Sequence, residues 1–157
     1  MANGLQNYIV KEVVDGTTVN TAVETITSSN LISANTVAVG NILTLFAKVK
    51  RTSFLTSSWT IKVYFNTSSS LIGATLVATT TNTSAQLIEF GRIFVVKSAT
   101  NTQGFNASTY TNFARYNVST NLTNSIIDWT VNQYLIISIT MAASQVAFSS
   151  GCLLLKD

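Results

Sequence analysis

Apolar residues return at every second position through most of this chain, and that period sets the fold class before composition is considered. From Trp59 to Asn66, Trp59, Ile61, Val63 and Phe65 alternate with Thr60, Lys62, Tyr64 and Asn66. Successive side chains of a β-strand point to opposite faces, so this segment reads as a strand with one face on a core. Ile42 to Lys50 repeats the pattern, with Leu43, Leu45, Ala47 and Val49 opposite Thr44, Phe46, Lys48 and Lys50. Leu135, Ile137, Ile139 and Met141 fall on one face of Tyr134–Met141, and Val146, Phe148, Cys152 and Leu154 alternate in the last segment. Leu87 to Lys97 is apolar on both faces, which predicts a central strand covered on both sides. Shorter strands are expected at Leu71–Ala78, Phe105–Thr109, Phe113–Val118 and Ile126–Trp129, between Asn, Ser, Thr and Gly clusters that make turns.

No window of twelve residues carries an apolar stripe of helical period, and β-branched threonine stands where a helix favours Ala, Glu or Lys. About eight strands without a βαβ pattern predict an all-β, antiparallel sandwich, and eight is the number of strands in a jelly roll. The first residues behave differently. Tyr8–Val14, Asp15-Gly16 and Thr17–Thr27 read as an Asp-Gly hairpin with weak arms, which is marginal on its own and must pair with something. It either packs on its own sandwich or forms an arm that docks on another subunit. The chain is therefore divided into residues 1–28, a hairpin or attachment arm, and residues 29–157, the sandwich. Tyr8, Ile9, Val10, Val13 and Val14 are the candidate attachment residues.

Only 10% of the 157 residues are charged, while serine, threonine and asparagine fill 57 positions. Neutral hydroxyls and amides desolvate at less cost than ions, so a surface of this kind suits association. Histidine is absent, which excludes a Ser-His-Asp or Cys-His relay, a His-ligated metal and an imidazole switch. Cys152 is the single cysteine, so an intrachain disulfide and a Cys-rich zinc site are excluded too. Its apolar neighbours predict a buried, inert thiol. The opening MANGLQNYIVKEVVDG lacks the pattern of a secretory signal, and no apolar run approaches the 18 residues of a membrane span.

The six carboxylates are Glu12, Asp15, Glu24, Glu89, Asp128 and Asp157. No two are spaced as a metal loop or an acid/base pair, although Glu89 and Asp128 could still meet in the fold as a glycosidase pair. The structural alternative has Asp128 capping a turn before Trp129 and Glu89 balancing Arg92. Lys48, Lys50 and Arg51 form the one basic cluster; on a strand Lys48 and Lys50 would share a face that either touches phosphates or solvates an edge, and the solvating role is favoured. The residues call for no cofactor, no metal, no nucleic acid and no membrane, and the expected activity is binding without catalysis.

Three segments carry a resemblance: LISANTVAVGNILTLFAKVKR (31–51), WTIKVYFNTSSSLIGATLVATT (59–80) and IIDWTVNQYLIISIT (126–140). Together they resemble a jelly-roll module of virion structural proteins of tailed bacteriophages, especially phages of Bacteroidetes hosts and the crAss-like group. Matching positions include Ala34, Asn35, Thr36, Gly40, Asn66, Thr67, Leu71, Gly73, Ala74, Asp128, Trp129, Thr130, Gln133 and Tyr134. Ser33 stands where such modules often have proline, and Asn41 where they often have aspartate. The resemblance implies a homotrimeric jelly roll on the outside of the virion, as a head fibre, capsid decoration or tail appendage. On it, this chain is expected to be an auxiliary capsid protein or short head fibre. Its partners would be itself and other virion proteins, foremost the major capsid protein. The alternative is a tail-associated module that binds a receptor or host-surface glycan, with Tyr64, Tyr110, Arg115 and Tyr116 as exposed binding residues.

Overall fold

A computed structural model describes residues 7–52, 58–83, 85–105, 122–141 and 145–157. Among these the regular structure is all strand: β1 (Asn7–Glu12), β2 (Thr25–Ile32), β3 (Ile42–Arg51), β4 (Trp59–Asn66), β5 (Thr75–Asn82), β6 (Leu87–Ser98), β7 (Asn101–Phe105), β8 (Leu122–Ile126), β9 (Gln133–Met141) and β10 (Ala147–Lys156). They form two antiparallel sheets, one of six strands in the order β1-β10-β3-β6-β7-β8 and one of four in the order β2-β9-β4-β5. The pairings nest, because β4 pairs with β5, β3 with β6, β2 with β9 and β1 with β10. β7 and β8 pair with each other and extend the larger sheet beyond β6.

The alternation read in the sequence becomes the core between the sheets. Leu43, Leu45 and Val49 of β3 are fully buried, as are Trp59, Ile61 and Val63 of β4 and Leu135, Ile137 and Ile139 of β9. Burying each such aliphatic side chain stabilises the fold by roughly 1.5–3 kcal/mol. Phe65 meets Phe94 edge-on at 6.2 Å and Trp129 at 5.2 Å, which locks the two sheets together near one end. Trp129 also donates its indole N–H to Thr102 Oγ1 at 2.8 Å, so its one polar atom is satisfied in the interior. Cys152 is buried as expected, and burial, with the Glu12 charge second, pushes its thiol up to about 12.

Several expectations are corrected. Residues 8–27 do not close as a hairpin: β1 pairs with β10 and β2 with β9, in opposite sheets. The connection between them crosses the sandwich edge. Gly16 N donates to Ser149 O, and Val19 exchanges both backbone bonds with Ala147. These bonds to the last strand outcompete an Asp-Gly turn, and β2 runs through the boundary drawn at residue 28. Among the described residues β6 is central but covered on one face only, since Ile88, Phe94 and Val96 are buried whereas Leu87 and Ile93 are 43% and 42% exposed. Leu71–Ala74 is a turn, β5 beginning at Thr75, and β8 ends at Ile126, before the turn through Asp128 and Trp129. Arg51 does not join the lysines, because it continues the inward set of β3 and lies buried, giving a hydrogen bond to Gln145 Oε1 at 3.0 Å and stacking over Trp59. The expected strands at Phe105–Thr109 and Phe113–Val118 lie outside the described residues, apart from Phe105 at the end of β7.

Candidate functional site

The positions that carry the phage resemblance converge on one end of the sandwich, where the β2–β3, β4–β5 and β8–β9 connections meet. Three tight turns are built alike. Thr36 N donates to Ser33 O, Asn41 N to Ala38 O and Ala74 N to Leu71 O, at 3.1–3.2 Å. The third residue of each turn has positive φ: Asn35 (60°), Gly40 (90°) and Gly73 (74°). That is the type II geometry, which demands glycine or asparagine there. The motif pieces Ala-Asn-Thr, Val-Gly-Asn and Ile-Gly-Ala are therefore turn chemistry.

Further hydrogen bonds brace each loop and join the β2–β3 turn to the β8–β9 connection. Asn66 donates to the carbonyls of Ser70 (2.7 Å) and Ile72 (3.0 Å) and accepts from Thr67 N, which fixes the β4–β5 loop. Asp128 accepts from both Thr130 N and Thr130 Oγ1, and these bonds hold its carboxyl below the usual range. Gln133 donates to Asp128 O, Asn35 N to Trp129 O, and Ala34 N to Asn132 Oδ1. The result is a rigid cap with apolar tips in solvent, Ile72 being 88% exposed and Val39 60%.

The carboxylates sit in separate networks. Glu89 bridges to Lys48 at 3.3 Å and not to Arg92, whose guanidinium is turned inward, donates to Gly91 O and has its pKa lowered by burial. Asp157 accepts from Ile42 N, and Glu12 from Ser28 and Asn30. Glu24 receives three donors on the outer face of the four-stranded sheet: Ser138 Oγ (2.6 Å), Tyr64 Oη (2.7 Å) and Lys62 Nζ (2.8 Å). Burial pushes Glu24 up, but the bonds from Lys62, Ser138 and Tyr64 outweigh it and hold the carboxyl below its ordinary value. Tyr64 is raised by burial and by its bond to Glu24, and Lys62 is raised by its bond to Glu24. Among the described residues no three metal-binding side chains gather.

The sequence-predicted residues are placed as follows. Tyr8, Val13 and Val14 are exposed, Ile9 is half-buried and Val10 belongs to the core at 5% exposure. Tyr64 is half-buried with its hydroxyl committed to Glu24, while Tyr110, Arg115 and Tyr116 lie outside the described residues. Glu24 was missed as an organising group. Its partners lie 38 to 114 residues away, so the only local signal was an acid just ahead of a strand. No family model, curated protein or solved structure matches the chain.

Proposed function

We propose that the chain is a jelly-roll structural protein of a tailed-phage particle, an auxiliary capsid protein or short head fibre. In this reading it assembles as a trimer on the particle surface and acts by binding, without catalysis. Its support is the strand order: without β7 and β8, two four-stranded sheets remain, β1-β10-β3-β6 and β2-β9-β4-β5, with four nested antiparallel pairs. Nested pairs divided between two facing sheets are what a jelly roll consists of. The motif positions agree with this use, since they build turns and a rigid cap. Immuno-gold labelling of purified particles tests the location, and light scattering tests the assembly. Gold on the capsid surface and three times the 16.9 kDa protomer mass are expected. A protomer at micromolar concentration, or label confined to the tail, would overturn the trimer or the capsid assignment respectively.

A further inference from the structure

The outer face of the six-stranded sheet combines an apolar centre with an unbalanced charge. Register sets Tyr8, Leu155, Thr44 and Ile93 in one row across β1, β10, β3 and β6, and Lys11, Leu153, Phe46 and Gly91 in the next. Ile42 and Val95 extend the centre by a further pair. Tyr8 is 56% exposed, Ile93 42% and Ile42 40%, while Leu153 and Leu155 are half-buried. Among the described elements none packs on this face. Four exposed lysines, Lys11, Lys48, Lys50 and Lys97, surround the centre, opposed by Glu89 and, beside Ile42, by Asp157, so among the described residues the face carries +2. On the outer face of the four-stranded sheet Lys62 and Glu24 cancel.

We infer that this face docks a protein surface with an apolar centre and a carboxylate-rich rim. Four strands about 4.8 Å apart and about ten residues long present roughly 600 Å², most of the roughly 800 Å² that one side of a standard interface buries. A second copy fits poorly, because matching faces would set lysine against lysine. A phosphate backbone calls for cations at the centre, where this face has leucines and aromatics. A bilayer calls for large apolar side chains that reach into it, and of the apolar side chains on this face only Tyr8 is more than half exposed. The inference rests on the particle reading and names the face by which the chain would be held.

Particles assembled without the chain are mixed with the purified full-length protein and pelleted at low and high NaCl. Wild type is expected to co-sediment, and to do so less at high salt. Lys11→Glu/Lys50→Glu is expected to bind at least about tenfold more weakly, with an unchanged melting temperature because both side chains are solvent-exposed. Ile93→Ser is expected to weaken binding as well, while Thr79→Glu, on the outer face of the other sheet, binds as wild type. Wild-type binding with no loss in the face variants would overturn the docking face and leave the particle reading intact. Wild type that fails to pellet with particles would overturn both. Equal co-sedimentation with phosphatidylglycerol vesicles or duplex DNA would show a general polyanion surface and overturn the inference.

Discussion

Single side chains divide here into those that fill the space between the sheets and those that fix the outside. Trp59 and Trp129 are 0% and 3% exposed, so neither is a sugar-stacking platform. Truncation of either to alanine is expected to cost roughly 3–5 kcal/mol, read by thermal or denaturant melts; unchanged stability would show that the indole is not packed as described. Glu24→Gln is expected to cost about 1–2 kcal/mol near neutral pH, because it removes a charge that three donors share. The pH dependence has a definite sign. A carboxyl held below its ordinary 4.5 stabilises the fold above that value, and the contribution is lost as pH falls through the lowered pKa. Tyr64, raised above 10.0, contributes below that pH and ceases to do so above it. With no imidazole in the chain, the melting temperature is expected to be flat between about pH 5 and 9 and to fall on acidification. In Glu24→Gln the acid limb should be shallower, and identical limbs would remove the clasp from the account. The inward tryptophans were legible because each begins or follows an apolar alternation. The turn of Arg51 was not, since charge argued for solvent while its place in the odd-numbered set of β3 argued for the interior, and position prevailed.

Whole elements were legible where alternation was long. β3, β4 and β9 could be placed to within a residue or two, because eight to ten alternating positions allow only one register against a core. β7 (NTQGF) and β8 (LTNSI) have no such alternation, and the apolar cluster Ile126–Trp129 points to a strand a few residues beyond β8. The Asp-Gly signal at 15–16 was local, and the long-range ladder from β1 to β10 overrode it. Two predictions belong at this scale. Gly73→Ala forces φ of 74° on a residue with a Cβ, and is expected to cost about 1 kcal/mol and lower the melting temperature by roughly 2–4 °C; no change would remove the type II assignment. Deletion of residues 1–12 strips β1 from β10, where Glu12 stands opposite Cys152. The shortened chain is expected to melt lower and to alkylate Cys152 quickly, whereas the full chain reacts slowly because burial keeps the thiol protonated. Equal alkylation rates would show that β1 does not cover that thiol.

At the scale of the molecule, two sheets with nested pairs place rigid turns at one end and leave two outer faces of different character. The four-stranded face is charge-neutral through Lys62 and Glu24, and the six-stranded face is apolar and basic. The sandwich itself followed from the period of two together with the missing helical stripe. The division of strands between sheets did not, because it depends on which distant segments pair. High-resolution cryo-EM of intact particles tests the central claim most directly. The account predicts trimeric two-sheet sandwiches on the capsid surface, each with its lysine-bearing six-stranded face against a neighbouring virion protein. Particles whose surface shows no such density, with the chain absent from them or present only as scattered single copies, would contradict it.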